Sequence, residues 1–110
     1  MCGIVGIFDT SGSYVSKKTL KRMNDAISHR GPDGEGFFLD DYIGLGHRRL
    51  AIIDLTKCGH QPMVSSNGRF IVSFNGEIYN FKELRKELES VGYNFKSSSD
   101  TEVLLNAFSE

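Results

Sequence analysis

The sequence predicts an α+β domain. Four short apolar runs with strand character lie at 3–9, 36–39, 42–53 and 69–74. Three other stretches carry apolar residues at helical spacing, and clusters of Gly, Pro, Asn and Asp separate the two kinds of segment.

The first run, GIVGIFD at 3–9, is closed by Asp9, Ser11 and Gly12, which reads as a buried strand. From Ser16 to His29, Leu20, Met23 and Ile27 recur with Lys and Arg between them, as in an amphipathic helix with one packed face. His29-Arg30-Gly31-Pro32-Asp33-Gly34 ends it in a turn. GFFL (36–39) and YIGLGHRRLAII (42–53) follow as strands, and 54–67 is rich in turn residues. RFIVSF (69–74) is strand-like and runs into Asn75-Gly76, a tight-turn dipeptide. Tyr79 to Val91 carries Phe81, Leu84, Leu88 and Val91 on one helical stripe. Asn80 and Glu83 are placed as a capping box there, and Gly92 as the C′ residue. A third helix starts near Ser99 or Asp100 and carries Val103, Leu104, Ala107 and Phe108. Its apolar pattern reaches Glu110 without Gly, Pro or a polar tail, so 1–110 is expected to be the N-terminal portion of a larger domain.

At 110 residues the chain has room for one domain. It is 39% hydrophobic and 25% charged, which argues against disorder and fibrous classes. Thirteen Lys and Arg against 14 Asp and Glu leave a net charge of −1, with no electrostatic footprint for nucleic acid or anionic lipid. No apolar run approaches the ~20 residues that span a bilayer. The opening MCGIVGIFDT lacks the basic start of a secretory signal. Cys2 and Cys58 make a poor staple and read as free thiols in a reducing, cytoplasmic setting.

Cys2 is the foremost candidate for chemistry. Loss of the initiator Met would leave its α-amine free. An α-amine has a pKa of ~7.7–8.0, against ~10.4 for a lysine, so it is partly neutral at pH 7 and can take a proton. A thiol with its own base on the same residue is an activated nucleophile. The plain alternative is a small residue at a frayed terminus. Asn75-Gly76-Glu77 offers a side-chain amide and a glycine N–H as two donors for a developing oxyanion, or simply a hairpin turn. Arg49 could fork onto a carboxylate and Asp100 could meet an ammonium, so together they could grip a free amino acid. Taken separately, Arg49 reads as a surface charge and Asp100 as an N-cap. His29, His47, Cys58 and His60 lack paired ligand spacing, so no metal site is expected. Neither GxxxxGK[ST] nor GxGxxG occurs, so no nucleotide loop of those kinds is present.

Six ordered blocks, MCGIVGIFD (1–9), HRGPDGEG (29–36), GHRRLAIID (46–54), GHQPM (59–63), FNGEIYN (74–80) and SDTEVLL (99–105), resemble the class II glutamine amidotransferase domain. Within that family the chain looks most like the bacterial glutamine-hydrolysing asparagine synthetases, and the resemblance covers its whole length. It implies an N-terminal-nucleophile αββα sandwich with two antiparallel sheets between helical layers, incomplete in 110 residues. It implies that Cys2 attacks the side-chain amide of L-glutamine and that Asn75 and Gly76 hold the oxyanion. Arg49 would hold the substrate α-carboxylate, Asp100 and Glu77 would face its α-ammonium, and the stretch Arg49, Leu50, Ala51, Ile52 and Ile53 would line the pocket.

The resemblance further implies that the ammonia feeds an ATP-dependent amidation of aspartate in a synthetase domain in cis. ATP and Mg belong to that domain, and no cofactor is expected in this chain. A homodimer is compatible with the resemblance. The rival readings are a class II amidotransferase with a phosphoribosyl diphosphate or fructose 6-phosphate acceptor, an inactive truncated fragment, and a non-catalytic interaction module. His29, Arg30, His47 and His60 receive no catalytic role.

Overall fold

The computed structural model describes residues 2–50 and 56–110. The elements in chain order are β1 (Gly3–Phe8), α1 (Lys17–Ala26), β2 (Gly34–Asp40), β3 (Ile43–Arg49), β4 (Met63–Val64), β5 (Ile71–Val72), α2 (Phe81–Ser90) and α3 (Asp100–Ser109). Short 3₁₀ turns lie at Ser28–Arg30 and Lys57–Gly59. This is a mixed architecture with antiparallel sheets, as the interspersed strand and helix patterns predict.

Three strands form one antiparallel sheet in the order β1-β3-β2. In its register Gly3 faces Arg48 and Gly34 faces Arg49. The start of β1 therefore lies beside the end of β3. Helix α1 packs across β1 and β3. Ser16 caps it by accepting from Thr19 N, and Leu20 and Asn24 are wholly buried beneath it. The helix ends at Ala26 rather than running to His29, because the chain tightens into the 3₁₀ turn there.

The second sheet is the pair β4–β5, with Met63 opposite Val72. Only Ile71 and Val72 of the predicted 69–74 strand pair in it. Beyond them the backbone turns to side-chain partners, since Phe74 N–H donates to Gln61 Oε1 at 2.6 Å. The tight turn of this hairpin is at Asn67-Gly68. Asn67 Oδ1 accepts from Arg69 N, and Gly68 has φ +72°. Asn75-Gly76 is not a hairpin turn, because helix α2 and not a strand follows it.

Helices α2 and α3 pack together around Leu88 and Val103. Gly92 has φ +104°, with Tyr93 N donating to Leu88 O and Gly92 N to Glu89 O, so it is the C′ residue the sequence predicts. The predicted capping box is not formed. Asn80 sits at φ −96°, ψ 26°, away from the extended conformation that aims a capping side chain, and makes no side-chain cap bond. On α3 the cap is Ser99, whose Oγ accepts from Thr101 N at 3.0 Å, so Asp100 is not the cap. The Glu102 carboxylate accepts from Lys96 N and Ser97 N, which ties the preceding loop to the helix. Leu104 and Phe108 turn toward an open apolar groove of about 460 Å³ shared with Phe70 and Val72. Among the described residues, no helix is long and apolar enough to cross a membrane.

Candidate active site

The β1–β3 ladder delivers Cys2 to the end of β3. Leu50 N–H donates to Cys2 Sγ at 3.3 Å, and the thiol returns a hydrogen bond to Leu50 O at 3.5 Å. Cys2 is half-buried there, whereas Cys58 is exposed, and both are free thiols. Successive residues of a strand point to opposite faces, so Arg48 and Arg49 part company. Arg48 is held by Glu35 at 2.8 Å and by Gly31 O at 3.2 Å. Arg49 pairs with no carboxylate among the described residues, and its Nη1 donates to Thr56 O at 2.6 Å. Of the two arginines, Arg49 is the one without a carboxylate partner among the described residues.

The HRGPD block serves this strand end. Asp33 N donates to Arg49 O at 2.9 Å, and Pro32 bridges to Arg49. Gly31 lies so close to the Arg48 carbonyl that any Cβ would collide with that backbone. His29 and Arg30 are themselves exposed.

The second half of the site is the loop 74–78. His47 is 1% exposed, and its Nε2 lies 3.2 Å from Phe74 O. A carbonyl only accepts, so Nε2 carries the proton. His47 Nδ1 and Asn24 Oδ1 are buried without a partner among the described residues. Burial holds the His47 pKa below its ordinary 6.5; the bond to Phe74 opposes this, while His60 and Arg49 add to it. Asn75 is half-buried, and Gly76 and Glu77 are exposed. Ile78 N–H then donates to Asp100 Oδ2 at 3.0 Å, with Asp100 only 5% exposed.

The structure thus joins Cys2 to Leu50 directly, and Asp100 to the Asn75–Glu77 loop through Ile78. The two halves meet through His47, two residues before Arg49, which holds the carbonyl just before Asn75. No hydrogen bond links Cys2 to Arg49, Asn75 or Asp100 among the described residues. Ala51, Ile52 and Ile53 lie outside the described residues, as does Met1. Sequence reasoning weighs His47 only as a metal ligand and gives Gln61 no role; the signal available was their places in the GHRRLAIID (46–54) and GHQPM (59–63) blocks. No group of three or more His, Cys, Asp or Glu gathers as metal ligands among the described residues.

Residues 1–110 match the family described as the glutamine amidotransferase domain. The chain is 47% identical, over 98% of its length, to asparagine synthetase [glutamine-hydrolyzing] 1 of Bacillus subtilis, covering 17% of that protein. It is 41% identical over its full length to a putative asparagine synthetase [glutamine-hydrolyzing] 2 of Methanocaldococcus jannaschii, covering 24% of it. Against asparagine synthetase B [glutamine-hydrolyzing] of Escherichia coli it is 38% identical over its full length, covering 20%. The chain therefore spans about a fifth of the length of these relatives. With the match running through Cys2, Arg49, Asn75 and Asp100 to the last residue, this chain belongs to the glutamine amidotransferase domain family.

Proposed function

We propose that this chain is the glutaminase part of an asparagine synthetase, built as part of an N-terminal-nucleophile sandwich. It hydrolyses L-glutamine to glutamate and ammonia. With Met1 removed, the neutral α-amine of Cys2 takes the thiol proton. The sulfur adds to the glutamine side-chain carbonyl carbon, and the oxygen gains the negative charge. Asn75 Nδ2 and Gly76 N–H hold that oxyanion. The C–N bond breaks as the α-ammonium returns its proton to the leaving nitrogen, which departs as ammonia. Water then cleaves the γ-glutamyl thioester, releasing glutamate and restoring the thiol. Arg49 takes the substrate α-carboxylate, and Asp100 with Glu77 faces its α-ammonium. The stretch from Leu50 through Ala51, Ile52 and Ile53 lines the pocket. Released ammonia amidates aspartate in an ATP- and Mg-dependent synthetase domain in cis, in the cytoplasm.

The observation that carries this reading is the seat of Cys2. Its sulfur rests 3.3 Å from Leu50 N, immediately after the arginine that, among the described residues, is not tied to a carboxylate. The test is intact-mass and peptide analysis of the full-length protein after treatment with a glutamine-shaped diazoketone. A single adduct on Cys2, with loss of glutamine hydrolysis, is expected. An adduct on Cys58 instead, or active protein that retains Met1, overturns the reading.

A further inference from the structure

Gln61 lies outside every role assigned above, yet it is 7% exposed and both ends of its amide are engaged. Phe74 N–H can only donate, so Gln61 presents Oε1 to it, at 2.6 Å. That orientation leaves Nε2 to donate to Thr101 Oγ1, at 3.1 Å. Thr101 is itself 3% exposed. Phe74 precedes Asn75, and Thr101 follows Asp100. One side chain therefore spans the two segments that carry the oxyanion donor and the acid for the substrate ammonium.

The backbone of Gln61 is seated as firmly as its amide. Its carbonyl packs on Gly36 of β2, at a place where any Cβ would collide with it, and His60 Nε2 crowds the same point at 2.6 Å from that Cβ position. The central sheet thus sets where the amide stands. From there Gln61 reaches the loop 74–78 on one side and the first turn of α3 on the other. The loop is held at its far end by Asp100 Oδ2 on Ile78 N, so the Gln61 bridge closes a ring: Gln61, Phe74, the Asn75–Glu77 loop, Ile78, Asp100 and Thr101.

We infer that Gln61 is a positioning residue for glutamine hydrolysis, setting the distance between the oxyanion donors Asn75 and Gly76 and the ammonium-binding Asp100. This rests on the proposed glutaminase reading and extends it to a residue that touches no substrate. A glutamine molecule is gripped at its α-ammonium and attacked several bonds away at its side-chain carbonyl. The spacing between those two grips decides whether the carbonyl oxygen lands on its donors.

The test uses the full-length protein, with glutamine hydrolysis measured beside asparagine formation from free ammonia, which bypasses the thioester. Gln61→Leu removes both bonds. Thr101→Val cuts only the link to α3, and Thr101→Ser keeps it. Misplacement by about 1 Å costs about 10²-fold in such sites. Gln61→Leu and Thr101→Val are expected to lower kcat/KM for glutamine on that scale, with KM rising in Thr101→Val. The double variant should be no worse than Gln61→Leu, Thr101→Ser should restore the parental value, and ammonia-dependent turnover should hold. Should Gln61→Leu fail to fold, the Thr101 pair alone decides the matter. Parental kcat/KM in Thr101→Val overturns the inference, as does a loss of glutamine- and ammonia-dependent turnover together in that variant. Asn75→Ala, run alongside, separates the two levels: if it lowers glutamine hydrolysis while Thr101→Val does not, only the inference fails. If Asn75→Ala has no effect, the glutaminase reading fails and the inference falls with it.

Discussion

Asp100 Oδ2 accepts a hydrogen bond from the backbone N–H of Ile78 at 3.0 Å, across 22 residues of sequence. The acid that opens α3 is therefore a fastener for the loop carrying Asn75, Gly76 and Glu77. Its charge and its hydrogen bond are separable. Asp100→Asn keeps an oxygen for Ile78 and removes the charge. A charge-assisted bond contributes about 1.5–3 kcal/mol, or roughly 10- to 10²-fold. Asp100→Asn should raise KM for glutamine by that factor with a modest change in kcat. Asp100→Ala also frees the loop, so kcat should fall as well. Steady-state kinetics of the two variants checks this, and an unchanged KM in Asp100→Asn rejects the ammonium role.

Asn75 supplies the side-chain donor of the proposed oxyanion pair. Loss of one such donor costs on the order of 10²–10³ in kcat, about 2.7–4 kcal/mol. Asn75→Ala should lower glutamine turnover on that scale and leave ammonia-dependent synthesis close to parental. Assaying both activities on one preparation distinguishes a lost donor from a damaged fold, in which both would drop.

Gly31 tests the support of the arginine strand. A methyl group there meets the backbone of Arg48, which is paired on both sides in the sheet and cannot step aside. Overpacking of this kind costs about 1–3 kcal/mol. Gly31→Ala should lower the unfolding free energy by that amount, read as a lower denaturation midpoint at unchanged m, and displacement of Arg49 should raise KM for glutamine. A parental midpoint would show that the contact relaxes freely.

His47 makes stability depend on pH. Burial depresses its pKa from 6.5, so below that value the unfolded chain takes up a proton that the folded chain refuses. Its contribution is complete above the unfolded pKa and is lost as pH falls toward the folded one. His47→Gln keeps an N–H near the Nε2 position for Phe74 O and abolishes the titration. Denaturant melts between about pH 5 and pH 8 should show the parental stability falling more steeply on the acid side than that of the variant. Parallel curves would mean that His47 is not held neutral.

Local pattern was enough for the α+β class, for the presence of the strand opened by Gly3 (though not its burial, since Ile4 and Phe8 are exposed), for the face of α1 carrying Leu20, and for Gly92 at the end of α2. Each is written in neighbours within a turn or two, where periodicity and left-handed backbone leave their mark. The blocks around Cys2, Arg49, Asn75 and Asp100 were legible as a family resemblance, though not as a geometry. Tertiary structure decided which arginine is tied to a carboxylate, because Glu35 claims Arg48. It turned Asn75-Gly76 from a hairpin into a tethered loop and Asp100 from a cap into a fastener. It also gave His47 and Gln61 their partners, 27 and up to 40 residues away. Such bonds form between groups that only the packed sheet and helices bring together, so nothing in the spacing of the residues along the chain announces them.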